Sequence, residues 1–265
     1  MKKPTKMKII SVIGMATVFF FLSRLLESAN RKGEYAIGKG IMVWHIVQNN
    51  ANIYLVKTPR HYLMIDSGNP DKAEKLVTDI QKIGINPSDI DYLILTHAHP
   101  DHAGNTRHFQ EKYGTKVIAG LGEEDLIKNK GEDINLCPTG FLGRIIQKTV
   151  AQKRYKPFVP DLTIGDSFNL KELGIQGTIF PIPGHTKGSM VISIGNAVFV
   201  GDIIRGKALQ NKKPARHIFV CDFDQDLMNI ETVAKIEGIH TWFPGHGGPL
   251  NQNDVLRFIH KEKSK

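Results

Sequence analysis

The sequence predicts an α/β fold, and three observations carry that expectation. Short apolar runs of strand length alternate with longer stretches patterned as helices. Glycine and proline punctuate the boundaries. Metal-binding residue types stand at the ends of several apolar runs, where an α/β sheet gathers functional groups along one rim.

Taken in order, residues 27–36 read as a polar linker. Residues 52–57 and 61–65 read as strands joined by a turn at Pro59, and 70–83 as a helix ended by Gly84. A strand over 91–96 leads to a helix over 102–113 closed by Gly114, then a strand over 116–119. Residues 121–165 offer a helix near 123–128 and a loop-rich, basic stretch after Gly131. Strands follow at 178–181, 190–194 and 197–200, then a helix near 226–237, a short strand at 241–243 and a closing helix over 253–260. No internal repeat or low-complexity block interrupts this order.

The chain has 265 residues, 41% of them hydrophobic, enough for one substantial core. Its net charge of +9 is uneven: seven basic residues and one acidic residue place +6 of it in residues 1–32. An overall basic character therefore does not imply a strongly basic catalytic domain. Residues 9–22 carry no charge and follow a lysine-rich start, so residues 1–32 are expected to be an N-terminal membrane anchor or signal segment. The lysines ahead of the run favour a domain of residues 33–265 on the extracytoplasmic side. Two cysteines, Cys137 and Cys221, are too few for a disulfide framework and read as buried or incidental.

The densest chemistry is His97-Ala98-His99-Pro100-Asp101-His102, directly after the apolar run 92–95. Imidazole and carboxylate are the donors a hard-to-borderline divalent cation such as zinc accepts, and four of them exceed the needs of one open catalytic ion. Three later positions fit a shared centre: His185 after Pro183-Gly184, Asp202 after the strand 197–200, and His246 after Pro244-Gly245. No serine-elbow motif competes with this reading.

The order His-x-His-x-Asp-His, then His, Asp and His, resembles the metallo-β-lactamase fold superfamily, over roughly residues 52–248. The resemblance implies an αββα sandwich of two mixed sheets flanked by helices. It implies that His97, His99 and His185 hold one metal, that Asp101, His102 and His246 hold a second, and that Asp202 bridges them. It makes Asp66 a support of the ligand loop and gives Asp101 a catalytic part in orienting the attacking oxygen. Lactamases of the best-known zinc type carry cysteine where Asp202 stands. Only nineteen residues follow His246, short of the helical domain of glyoxalase II proper. The implied activity is therefore that of the glyoxalase-II/lactonase branch: a membrane-anchored hydrolase cleaving a small ester, thioester or lactone by a metal-bridging hydroxide. The expected cofactors are two Zn2+, with Fe or Mn as alternatives.

The loop after Asp202 holds Arg205, Lys207, Lys212, Lys213 and Arg216 without an acidic residue, and ends at His217. Arg205, Arg216 and His217 are candidate contacts to an anionic small-molecule substrate. A solvated face, or a patch facing anionic lipid, explains the same charges. Two other readings stay open: a metal-dependent phosphodiesterase or nuclease, and a non-catalytic metal-stabilised scaffold. No aromatic residue interrupts the loop before Phe219, so single-stranded nucleic acid is not the expected partner.

Overall fold

The computed structural model describes residues 33–133, 136–150 and 153–265. The first half builds a seven-stranded sheet in the order β1-β2-β3-β4-β5-β6-β7. Strands β1 (Glu34–Gly38), β2 (Ile41–Gln48), β3 (Ala51–Lys57) and β4 (Tyr62–Ile65) form an antiparallel meander. Strands β5 (Ile90–Ile94), β6 (Lys116–Gly120) and β7 (Leu162–Ile164) extend it in parallel. The second half supplies β8 (Phe168–Asn169), β9 (Gly177–Pro181), β10 (Met190–Ile194), β11 (Ala197–Gly201), a small ribbon of β12 (Arg205–Gly206) and β13 (Pro214–Ala215), then β14 (Thr241–Pro244) and β15 (Leu250–Asn251). Its six-stranded sheet runs β15-β14-β11-β10-β9-β8, antiparallel except for the β11–β14 pair.

Strands here are apolar on both faces because both faces are covered. Tyr54, Val56, Leu63, Ile65, Ile94 and Ile118 of the first sheet meet Ile179, Met190, Ile192, Phe199 and Phe243 of the second. The alternate residues Leu55, Met64, Leu93 and Val117 pack outward on Leu76, Ile80 and Phe109 of the helices Ala73–Lys82 and Thr106–Tyr113. On the far side, Val191, Val198, Val200 and Trp242 pack on Leu227, Ile230, Val255 and Phe258 of the helices Phe223–Ala234 and Gln252–Lys263. Three apolar layers between four structural layers make the αββα sandwich.

Several expectations change. The stretch expected as a linker enters β1 at Glu34, and β2 was not foreseen. Pairing in a seven-stranded sheet supplies what the interrupted local pattern lacks. The helix expected over 102–113 is two helices, Pro100–Ala103 and Thr106–Tyr113. It breaks where Gly104 presses on the backbone of Gly68–Pro70 and donates to the Gly68 carbonyl at 2.9 Å. Part of the stretch expected as loop forms the helix Gly140–Val150. The cysteines are not incidental: Cys137 and Cys221 form a disulfide across 84 residues, with Cα atoms 4.9 Å apart.

The expected membrane location does not stand. Among the described residues no helix is long and apolar enough to cross a membrane. The longest of these helices have 12 residues, about 18 Å against a hydrocarbon core of about 30 Å. The anchor or signal expected in residues 1–32 lies outside the described residues.

Candidate metal centre

The histidine loop leaves the end of β5 and is held by two buried carboxylates. Asp66, just past β4 with a left-handed φ of 59°, accepts the Thr96 N–H at 2.7 Å and the Thr96 hydroxyl at 2.8 Å. Its Oδ2 also lies 2.8 Å from His102 Nδ1. Glu123, fully buried, accepts the Ala98 N–H at 2.8 Å, the Gly188 N–H at 2.9 Å and the Thr186 hydroxyl. It therefore ties the His97–His102 loop to the turn that carries His185.

The second sheet brings the other side chains. Parallel pairing of β11 with β14 sets Asp202 beside Gly245. The approach is so close that a Cβ at Gly245 would collide with the Asp202 carboxylate and the His102 ring. His246 is placed by the β2–β3 hairpin, whose turn residues Asn49 and Asn50 both have positive φ, as a tight two-residue turn requires. The Asn50 carbonyl lies 2.7 Å from His246 Nδ1. The Asn52 amide donates to the carbonyls of Pro244 and Gly247 at 2.8 and 2.6 Å, and the Tyr54 hydroxyl donates to Pro244 at 2.6 Å.

These partners decide where the imidazole protons sit. The Asp66 carboxylate only accepts, so His102 carries its proton on Nδ1. The Asn50 carbonyl does the same for His246. The Phe219 carbonyl, 3.1 Å from His185 Nδ1, fixes His185 likewise. The Thr96 hydroxyl donates to Asp66, so it accepts from His97 Nδ1 at 3.1 Å. His99 is the reverse: its Nε2 meets Asp133 at 3.0 Å, which leaves Nδ1 unprotonated. Five ring nitrogens therefore face one space, Nδ1 of His99 and Nε2 of His97, His102, His185 and His246. His99 Nδ1 and His185 Nε2 face each other at 3.0 Å with no proton assigned between them.

The side chains fall into groups whose donor atoms lie within 4.8 Å of one another: His97 with His99 and His185, Asp101 with His102 and His246, and two groups that include Asp202. Asp202 Oδ2 lies 3.8, 3.5, 3.6 and 3.3 Å from Nε2 of His97, His102, His185 and His246. The buried His97 Nε2, His102 Nε2 and Asp202 Oδ1 have no hydrogen-bond partner. Convergent unpartnered donors of this kind fit a metal, which would satisfy them together.

The electrostatics agree. Burial, then neighbouring imidazoles, hold His97 well below the ordinary imidazole value, and the same causes act on His185. Burial opposes ionisation of Asp202, yet His246, His217 and His102 draw it well below the usual carboxylate range. Asp101 is drawn down to about 2, against its burial, by His102 and His246. Burial works against charge on His102, but Asp202, Asp66 and Asp101 push its pKa well up. The ionised carboxylates demand positive charge, which protons or a bound cation can supply.

The structure thus brings together all seven residues expected as ligands, with Asp66 behind them. It brings His217 in as well, 3% exposed, with Nε2 at 3.1 Å from Asp202 Oδ2. Arg205 is partly buried and its electrostatic partner is Asp202. Arg216 is turned away: it pairs with Glu262 of the helix Gln252–Lys263 and lies over the Phe223 ring, 3.3 Å from its centroid.

Sequence reasoning missed Glu123, Asp133, Thr96 and Asn52, and nothing local marks the first two. Thr96 borders the motif and Asn52 sits in an apolar strand, so both carried a weak signal. Lys153 belongs to the basic stretch after Gly131 that the sequence marks out as either a solvated face or an anion contact; its charge reaches Asp101 and its Nζ lies 2.5 Å from Asn69 Oδ1. The disulfide belongs to the site too. Backbone bonds Val220 N–H to Cys137 and Thr139 N–H to Ile218, at 2.9 and 2.7 Å, join it in fixing Phe219, the partner of His185.

Comparison with known proteins agrees. The model of the metallo-β-lactamase superfamily matches residues 47–229. A hydroxyacylglutathione hydrolase of Pelagibacter ubique is 25% identical over 166 residues, covering 62% of this chain; the chain spans only 55% of that protein. A probable metallo-hydrolase of Methanocaldococcus jannaschii is 26% identical over 199 residues, 75% of this chain and 88% of that protein. A metallo-β-lactamase structure from Cronobacter sakazakii superposes with a TM-score of 0.61 over 91% of this chain and 95% of its own, at 18% identity. At that identity the likeness is one of fold alone. With the family model spanning most of the described chain, the protein belongs to the metallo-β-lactamase superfamily and is a metal-dependent hydrolase of that family.

Proposed function

We propose that residues 33–265 act as one catalytic domain with a dinuclear zinc centre, cleaving a small ester, thioester or lactone. The observation that carries this reading is the convergence of five imidazole nitrogens and the carboxylates of Asp101 and Asp202 on one space. His97, His99 and His185 hold one metal, and Asp101, His102 and His246 hold the other. Asp202 lies between them, with Oδ2 within 3.8 Å of imidazoles from both sets. Metals bound there supply Lewis acidity and a water of lowered pKa.

The protein's own groups do the rest. Asp101, partly exposed and ionised, is placed to accept a hydrogen bond from the attacking water and to orient it. Asp66 and Asp133 hold His102 and His99 in the ligating tautomers. Lys153 and Arg205 lend positive charge beside Asp101 and Asp202, which suits a substrate bearing a carboxylate. The likeness to hydroxyacylglutathione hydrolases favours an acyl substrate. The same two cations give a phosphodiester reading some support.

The test is turnover by the full chain on an aryl ester, a lactone, a thioester and a bis-aryl phosphodiester, with and without chelator. Chelator-sensitive hydrolysis of a carbonyl probe is the expected result. Turnover confined to the phosphodiester would replace this reading with the second, and turnover of none by metal-loaded protein would overturn both.

A further inference from the structure

The dinuclear reading uses seven ligand residues, and His217 is left over. It is one of only a few polar groups of the long segment after β11 that are buried, and it faces the centre. Its Nε2 lies 3.1 Å from Asp202 Oδ2, closer than the 3.3–3.8 Å of His246, His102, His185 and His97. Its ring meets His185 edge-on at 4.8 Å and stacks on His246 at 5.7 Å, between the two sets of ligands. His185, Asp202 and His217 form a donor group of their own, with ligand atoms within 4.8 Å of one another.

The other nitrogen of the ring bears on the same question. His217 Nδ1 lies 3.3 Å from the Phe219 carbonyl, the group that also faces His185 Nδ1 at 3.1 Å. A carbonyl oxygen has two lone pairs and can accept from both rings. Such a shared acceptor would leave Nε2 of both histidines unprotonated and aimed at Asp202. The Phe219 N–H is also 3.3 Å from His217 Nδ1 and would impose the opposite tautomer, with the proton on Nε2 and donated to Asp202. The two arrangements differ by a single proton position, so they can be told apart directly.

We propose that His217 is an eighth metal donor, binding through Nε2 the same ion that His185 holds. This rests on the metal-centre reading above. It gives that ion four imidazoles in place of three, and makes the disulfide-tethered segment part of the coordination sphere. Metal loading would then anchor residues 202–221, and the tether would in turn hold an otherwise irregular segment in ligating position.

The experiment uses full-length protein, stripped and reloaded with Co2+, beside His217→Ala and His217→Gln. Metal content, affinity and the visible ligand-field spectrum are read, with circular dichroism to check folding. Loss of His217 is expected to change the spectrum and to weaken one ion about tenfold or more, while the other ion binds as before. Nitrogen NMR of the wild-type zinc protein needs no variant: a proton on Nδ1 and none on Nε2 of His217 is expected. A proton on Nε2 in the loaded protein would overturn the proposal, as would an unchanged spectrum and affinity in folded variants. Wild-type protein that takes up no metal would instead overturn the dinuclear reading on which it rests.

Discussion

The loop after β5 and the segment from Asp202 to Cys221 both put imidazoles on one carboxylate, yet they are held in different ways. The first packs three histidines and Asp101 into 97–102 and leans on buried carboxylates at neighbouring strand ends: Asp66 takes three hydrogen bonds and Glu123 takes three. The second has only the two-residue strands β12 and β13 as regular structure. It is held by a disulfide and by ion pairs to the closing helix, Lys213 with Asp254 and Arg216 with Glu262. The first wall is fixed by buried hydrogen bonds, the second by a disulfide and ion pairs at the surface. The first should therefore resist perturbation of the tethers, while the second should not.

The largest expected effect is at the residue both walls share. Asp202→Asn keeps the shape but removes the charge that faces the imidazoles, and kcat should fall by about 100- to 1000-fold, roughly 3–4 kcal/mol. Full turnover would separate Asp202 from the reaction. Cutting the tether comes next. Cys137→Ser with Cys221→Ser should cost about 2–4 kcal/mol in denaturant unfolding, because the disulfide closes a loop of 84 residues. Hydrogen exchange should rise around Phe219 and stay unchanged around Thr96; equal loosening of both would break the contrast.

The first wall is tested through Asp66. Asp66→Asn weakens the hold on the His102 tautomer, and metal affinity should drop about 10- to 100-fold with little change in unfolding of the second wall. Equilibrium dialysis against zinc reads this, and unchanged affinity would deny Asp66 a positioning role. A subtler effect concerns Asp226, buried on the helix that follows the second wall, whose carboxyl oxygens have no hydrogen-bond partner. Burial, then the charge of Asp202, push its pKa up to about 8. The unfolded carboxyl ionises near pH 4 while the folded one stays protonated, so metal-free protein should lose stability as pH rises from about 4 to about 8. The slope has a ceiling of about 1.4 kcal/mol per pH unit, and Asp226→Asn should flatten it. An identical slope in the variant would assign the pH dependence elsewhere. The smallest effect is expected for Arg216→Ala, which breaks a surface pair worth about 1 kcal/mol or less and should leave KM for a carboxylate-bearing ester unchanged. Arg205→Ala should raise it; the opposite ranking would relocate the anion contact.

The same contrast explains what could be read in advance. His97, His99, Asp101 and His102 stand within six residues, and His185, Asp202 and His246 each close an apolar run. Local spacing therefore announced the side chains that converge, and strand–helix alternation announced the fold class. The tethers are invisible at that level. Cys137 and Cys221 are 84 residues apart and pair only once the chain folds back between α/β halves. Glu123 and Asp133 act on backbone and imidazole groups 25 and 34 positions away. Strands β1 and β2 were hidden because pairing and burial between sheets, rather than local pattern, make them strands. Arg216 looked like a neighbour of Asp202 in a basic run, but the ribbon of β12 and β13 turns it to Glu262.

The central claim is that the converging side chains hold a pair of metals. Elemental analysis of freshly purified full-length protein tests it most directly. About two equivalents of zinc per chain, falling toward zero on chelation together with hydrolysis of a carbonyl probe, is the predicted result. One equivalent or none in folded, active protein would contradict it.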